Sequence, residues 1–212
     1  MKGIERIQCG NGNCFLIKQN NRAILVDTSR TKYRNKILEA CKQVDVKLIV
    51  LTHGHVDHIQ NAAFLSRDLG APIAMNKADC KLIKNNMIEP IFADKVMGKL
   101  VLALSLESFK HDIVEAFEPT LFLNEGDSLE NYGIGASVIA LPGHTRGSIG
   151  LKVWGTELIV GDALMNLFYP TVSMLYEDKQ AMLASATKIT EQGEVVIHFG
   201  HGKSVVNRQW VK

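Results

Sequence analysis

The sequence predicts an α/β protein built as a four-layer αββα sandwich, and three observations point there. Short apolar strand patterns fill the chain up to Met75 and return from Thr120 onward. Each of these strand-rich halves is followed by a helical pattern, which suits two sheets packed face to face with helices outside them. At 212 residues the chain can bury one sizeable core, and neither a low-complexity linker nor an internal repeat divides it. Residues 1–212 therefore read as a single domain.

The elements follow in order. "GIERIQC", "CFLIKQ" and "RAILVD" read as three strands, the last two joined by Asn20-Asn21 as a hairpin. "KYRNKILEACKQ" places Tyr33, Ile37, Leu38 and Cys41 on one side at helical spacing. "KLIVL" is a buried strand, "IQNAAFLSRDLG" a helix stopped at Gly70, and "PIAM" a short strand. From about Lys77 to Glu118 there is only one Gly, and apolar residues recur helically in "VLALSLESFKHDIVEAF". This helical insertion, at about 77–118, is expected to form two or three helices that cover something. After "TLFLNEGDSLENYG" come the strands "ASVIAL", "SIGLKVW" and "ELIVGD", the helix "DKQAMLASATKITEQ" and the strand "EVVIHF".

Composition narrows the class of partner. Apolar content of 46% and charged content of 22% are those of an ordinary globular protein. A formal charge of +2 gives no reason to expect nucleic acid or an anionic membrane as partner. "MKGIERIQCG" lacks an apolar signal region and no run approaches a membrane span, so a cytoplasmic protein acting on a small molecule is expected, with a homodimer left open. Cys9, Cys14, Cys41 and Cys80 show no metal-ligand spacing and are expected to be reduced packing residues.

Chemistry concentrates in "LTHGHVDHIQN". His53, His55, Asp57 and His58 fall in six consecutive positions directly after an apolar strand, in a chain with only seven histidines. Burying three imidazoles without a shared partner would leave several polar groups to satisfy. Imidazole with carboxylate suits zinc, iron(II) or manganese. Three further candidates each follow a strand beside a glycine: His144 in "ALPGHTRGS", Asp162 in "LIVGDAL" and His201 in "HFGHGKS". Any one alone reads as a turn with a hydrogen-bonding side chain. His111, on the helical stretch, reads as an ordinary satisfied polar residue.

In combination these motifs resemble the metallo-β-lactamase superfamily over essentially the whole chain. "THGHVDH" matches its H-x-H-x-D-H signature, "PGHTRGS" the second motif, "GD" the third, "GHG" the last, and "LVDTS" the early strand-end Asp motif. The resemblance implies the αββα fold and two divalent metal ions, zinc first, with iron or manganese as alternatives. His53, His55 and His144 would hold one ion, Asp57, His58 and His201 the other, and Asp162 would bridge them. Asp27 would orient a ligand histidine through its free ring N–H, against an equal reading as a simple turn-former. A hydroxide bridging the metals would attack the substrate, with Asp57 orienting it and shuttling a proton.

Departures from named subfamilies narrow the substrate. Asp162 stands where one large group of antibiotic-degrading relatives has Cys, and the C-terminal glutathione-binding helices of glyoxalase II are not expected after "GHGKSVVNRQWVK". Tyr169 sits further from Asp162 than the Tyr of lactone-opening relatives. Hydrolysis of a small ester, thioester or lactone is the expected activity. The alternative is a mononuclear-iron persulfide dioxygenase, and a non-catalytic scaffold does not fit a complete ligand set. His198 reads as a strand residue pointing elsewhere, ahead of an extra ligand. Met165, Phe168, Tyr169 and Met174 wall the site or fill core; the sequence alone does not choose.

Overall fold

The computed structural model describes residues 2–211, without the side chains of residues 108, 110 and 111. The expectation for the His111 side chain thus lies outside the described residues. β1 (Lys2–Cys9), β2 (Gly12–Gln19) and β3 (Arg22–Val26) form an antiparallel meander. β4 (Asp45–Val50), β5 (Ile73–Met75) and β6 (Leu121–Phe122) continue it as parallel neighbours, giving the order β1-β2-β3-β4-β5-β6. The first two parallel steps are crossovers, as parallel pairing requires. One runs through α1 (Arg34–Cys41), the other through the short α2 (Val56–Ile59) and α3 (Ala62–Leu69).

The second sheet has the order β13-β12-β9-β8-β7. It comprises β7 (Ala136–Ala140), β8 (Ile149–Val153), β9 (Glu157–Ile159), β12 (Val196–His198) and β13 (Val205–Val206). A separate two-stranded ribbon of β10 (Leu164–Met165) and β11 (Thr171–Val172) follows β9 in the chain. α4 (Cys80–Lys84) and α5 (Val96–His111) lie in the expected insertion, and α6 (Lys179–Thr190) follows the ribbon.

Three apolar clusters separate four layers. Leu16, Leu25 and Ile49 pack with Ile37, Ile59 and Leu65 on the outer face of the first sheet. Their strand neighbours Ile17, Ile24 and Leu48 turn the other way and meet Val138, Leu151 and Val153 between the sheets. Ile139, Leu158 and Ile197 pack on Ala186 and Ile189 of α6. With both faces of β2, β3 and β4 covered, their sequences run continuously apolar instead of alternating. The αββα sandwich read from the sequence is the fold observed.

Two expectations shift. The helix expected over "IQNAAFLSRDLG" begins only at Ala62, because the Asn61 side chain leaves the helix to donate to the carbonyls of Thr28, Ser29 and Arg30. Its end at Gly70, with φ +63°, is as read. In the insertion, α5 ends at His111 and residues 112–117 are irregular. Gln60 donates to the Ile113 carbonyl, while Val114 and Phe117 pack on the first cluster, so tertiary contacts override the helical spacing there.

Candidate metal centre

Five strand ends converge on one edge of the sandwich. β3 ends at Asp27, β4 at the 51–55 loop, β7 before His144, β9 before Asp162 and β12 before His201. All seven expected ligand side chains meet there. One set of donor atoms comprises His53, His55 and His144, and another Asp57, His58 and His201, each set with its atoms within 4.8 Å of one another. Asp162 lies between the sets. Its Oδ1 is 3.6 Å from His58 Nε2, and its Oδ2 is 3.8 Å from His144 Nε2 and 3.3 Å from His201 Nε2.

The second nitrogen of each ring determines where its lone pair points. Asp27 Oδ2 accepts from His58 Nδ1 at 2.8 Å. Its two oxygens also accept from Thr52 N and Thr52 Oγ1. The Thr52 hydroxyl, having donated its only proton to Asp27, can accept only, so His53 Nδ1 at 3.1 Å must be the donor. His144 Nδ1 donates to the Leu175 carbonyl and His201 Nδ1 to the Asn11 carbonyl. Four Nε2 atoms are thereby turned inward, and His55 presents Nδ1 instead, 3.0 Å from His144 Nε2.

Inside the cluster, His53 Nε2, His58 Nε2 and Asp162 Oδ1 are buried without a hydrogen-bond partner. Unpaired buried polar atoms are expensive, and His53, His58 and Asp162 form a further donor group within 4.8 Å that links the two sets, so these atoms fit cations seated among them. Asp27 unites both readings the sequence left open: a left-handed residue, φ +60°, after its strand, and the partner that orients a clustered histidine.

Charge reinforces the arrangement. Burial and then the neighbouring imidazoles hold His53 well below the ordinary histidine range, and burial with His144 pushes His55 down to about 3. Burial works against a charged His58, yet Asp27, Asp162 and Asp57 push it up to about 10. His201 rises for the same reason, burial being outweighed by Asp162 and Asp57. Burial also opposes the Asp57 and Asp162 charges, but His58 and His201 hold both carboxyls low.

Several supports escaped the sequence reading. The buried Asp79, just before α4, accepts from Gly54 N at 2.9 Å, Gly147 N at 2.6 Å and Thr145 Oγ1 at 2.7 Å. It joins the loop of His53 and His55 to the loop of His144. Asn86 clamps the first loop, accepting from Val56 N and donating to the Gly54 carbonyl. Glycine is obligatory at two contacts: a Cβ on Gly147 would lie 2.5 Å from Asp79 Oδ1, and one on Gly200 would lie 2.2 Å from Asp162 Oδ1. Asn76 accepts from Ala78 N at the start of this turn, so "NKAD" reads locally as a helix cap and hides what Asp79 does. His198 sits apart, as expected, between Ser204 Oγ at 2.8 Å and Glu157 Oε2 at 2.7 Å.

A cavity of about 560 Å³ opens over the cluster, with Asp57, Asp162 and His201 in its floor. Met165 and Phe168 line it; Tyr169 and Met174 do not. The insertion does cover the site, through Leu100, Leu104 and Phe109 of α5.

Comparison with known proteins follows the same lines. The sequence profile of the metallo-beta-lactamase superfamily matches residues 7–201. An uncharacterized protein of Aquifex aeolicus is 31% identical over 72% of this chain and 65% of its own length. Such first curated relatives are thus spanned over less than two thirds of their length. Hydroxyacylglutathione hydrolase GloC of Haemophilus influenzae is 25% identical over 90% of this chain and 85% of its own. The solved structure of TTHA1623 in a di-iron-bound form superposes with a TM-score of 0.71 at 23% identity, covering 94% of this chain and 95% of that one. Members of the matched family are generally metal-dependent hydrolases. The chain belongs to the metallo-β-lactamase superfamily.

Proposed function

We propose that this chain is a dinuclear metal-dependent hydrolase that opens a small ester, thioester or lactone. The observation that carries this reading is the pair of converging donor sets with Asp162 between them. His53, His55 and His144 would hold one divalent ion, Asp57, His58 and His201 the other, with Asp162 shared. Bound there, two cations would lower the pKa of water at neutral pH and offset the charge of a developing oxyanion. Zinc is the first choice for this donor set, with iron a specific competitor because TTHA1623 carries two irons.

The chain's own groups do the rest. In the reaction the water oxygen joins the acyl carbon and the C–S or C–O bond breaks, leaving a carboxylate and a thiol or alcohol. Asp57, partly open to the cavity and held ionised, passes one water proton to the leaving atom; the second goes to solvent. Asp27 and Thr52 keep His58 and His53 in register. An acyl–sulfur substrate draws support from GloC, named for hydrolysis of a hydroxyacylglutathione. Four free cysteines fit a reducing, cytoplasmic setting. Among the described residues no helix is long and apolar enough to cross a membrane.

Elemental analysis of the purified protein is the direct test. About two zinc or mixed divalent ions per chain, with thioester or lactone turnover, is the expected result. A single iron per chain with oxygen consumption on a persulfide would replace this reading with the mononuclear dioxygenase.

A further inference from the structure

The cavity has a mixed lining. α5 presents Leu100 and Leu104, which are 55% and 67% exposed yet line the cavity, and the segment after β10 presents Leu167 and the 57% exposed Phe168. Arg30, Lys32 and Tyr33 also line it. Arg30 is tied to Asp112 at the end of α5. The Lys32 ammonium lies 5.1 Å over the Tyr33 ring, with no carboxylate partner among the described residues.

The lining continues into both donor sets: the His55 ring stacks on Phe109 at 5.1 Å, His144 donates to the Leu175 carbonyl and His201 donates to the Asn11 carbonyl.

We propose that the substrate is an amphipathic acyl compound, with a straight apolar acyl chain lying between α5 and the 167–168 segment and an anionic leaving group facing Lys32. The proposal rests on the hydrolase reading above and adds the substrate class. Apolar side chains this exposed, rimming one cavity, mark a binding surface. Their continuity with the reacting floor selects the substrate's own chain as occupant, and Lys32 fixes which end lies where. A cavity of about 560 Å³ falls in the range of small-molecule sites.

The experiment compares acetyl, butanoyl and hexanoyl thioesters of 3-mercaptopropionate with those of its neutral methyl ester, on metal-loaded protein. Calorimetric binding of acetate and octanoate is measured alongside. We expect kcat/KM to rise at least about tenfold from acetyl to hexanoyl, and the anionic series to be favoured about fivefold. Leu104→Asp should reduce the chain-length ratio to about threefold or less, and Lys32→Glu should abolish the preference for the anionic series. Turnover with a flat chain-length profile would leave hydrolysis standing and overturn this inference. No turnover, with octanoate still bound about tenfold tighter than acetate, would remove the hydrolase reading and keep the apolar chain site. Flat binding without turnover would overturn both.

Discussion

Asp79 is the sharpest place to test how this site is held together. Asp79→Ala removes the acceptor for Gly54 N, Gly147 N and Thr145 Oγ1 at a fully buried position. Each orphaned buried donor costs about 1–3 kcal/mol, so the loss should reach about 3–5 kcal/mol. Burial raises the Asp79 pKa, with the Thr145, Gly147 and Gly54 hydrogen bonds opposing, so the net gain lies below the sum of three charge-assisted bonds. Asp79→Asn is the milder probe. Its single carbonyl oxygen can serve the Gly54 side or the Gly147 side, and its NH2 then faces a backbone N–H. That loss should be about 1–3 kcal/mol, or about 2–12 °C in Tm for a chain of this length.

The functional consequence is uneven. Asp79 joins the loop of His53 and His55 to the loop of His144, the residues of one donor set, and touches none of the other. We therefore expect Asp79→Asn to lower metal affinity about 10–100-fold at the His53–His55–His144 position and to spare the second position. The stability effect is read by calorimetry of the metal-stripped protein, the affinity by titration against a chromophoric chelator. A variant within about 0.5 kcal/mol of wild type, or one that weakens both ions equally, would refute the reasoning.

Other perturbations report on other parts. Asp27→Asn leaves His58 Nδ1 and Thr52 competing for one acceptor, so the Asp57–His58–His201 position should lose about 10–100-fold in metal affinity by the same titration. Gly200→Ala drives a Cβ to 2.2 Å from Asp162 Oδ1 and 2.9 Å from His58 Cε1, so elemental analysis should find both ions depleted. Full occupancy would show that Asp162 can move aside. For His198, burial outweighs Glu157 and lowers the pKa from 6.5, so the folded form binds fewer protons than the unfolded chain. Its contribution is complete above about pH 6.5 and declines as the pH falls. The Tm gap between wild type and His198→Gln should narrow from about pH 7.5 to about 5.5. A constant gap would contradict the assignment.

What was legible in the sequence divides by chemistry. Imidazoles and carboxylates are rare and conspicuous after strand ends, so His53, His55, Asp57, His58, His144, Asp162 and His201 could be picked out, and all seven meet. The layers were legible too, because strands buried on two faces and helices buried on one carry different apolar periods. Asp79, Asn86 and Thr52 were not. A support need only present an acceptor to a loop distant in sequence, and the same residue types cap helices and turns everywhere. The split of the expected 59–70 helix failed similarly: the reason lies in carbonyls of residues 28–30, which no local pattern around Asn61 contains.

The unequal electrostatics of the two donor sets implies that the ions load unequally with pH. In the metal-free protein His53 and His55 are held neutral, so their lone pairs are available across the physiological range. His58, pushed up to about 10, carries a proton that bonds it to Asp27, and Asp162 and Asp57 raise His201 in the same direction. These internal ion pairs keep the emptied cluster from scattering like charges. They also mean that an ion entering the Asp57–His58–His201 position must displace protons, whereas His53 and His55 release none. Metal affinity at that position should therefore rise more steeply with pH. Titration with a divalent ion at about pH 6 and about pH 8 should show one affinity nearly constant and the other strengthened by about tenfold or more. Equal pH slopes for the two ions would mean that the carboxylates do not hold those protons.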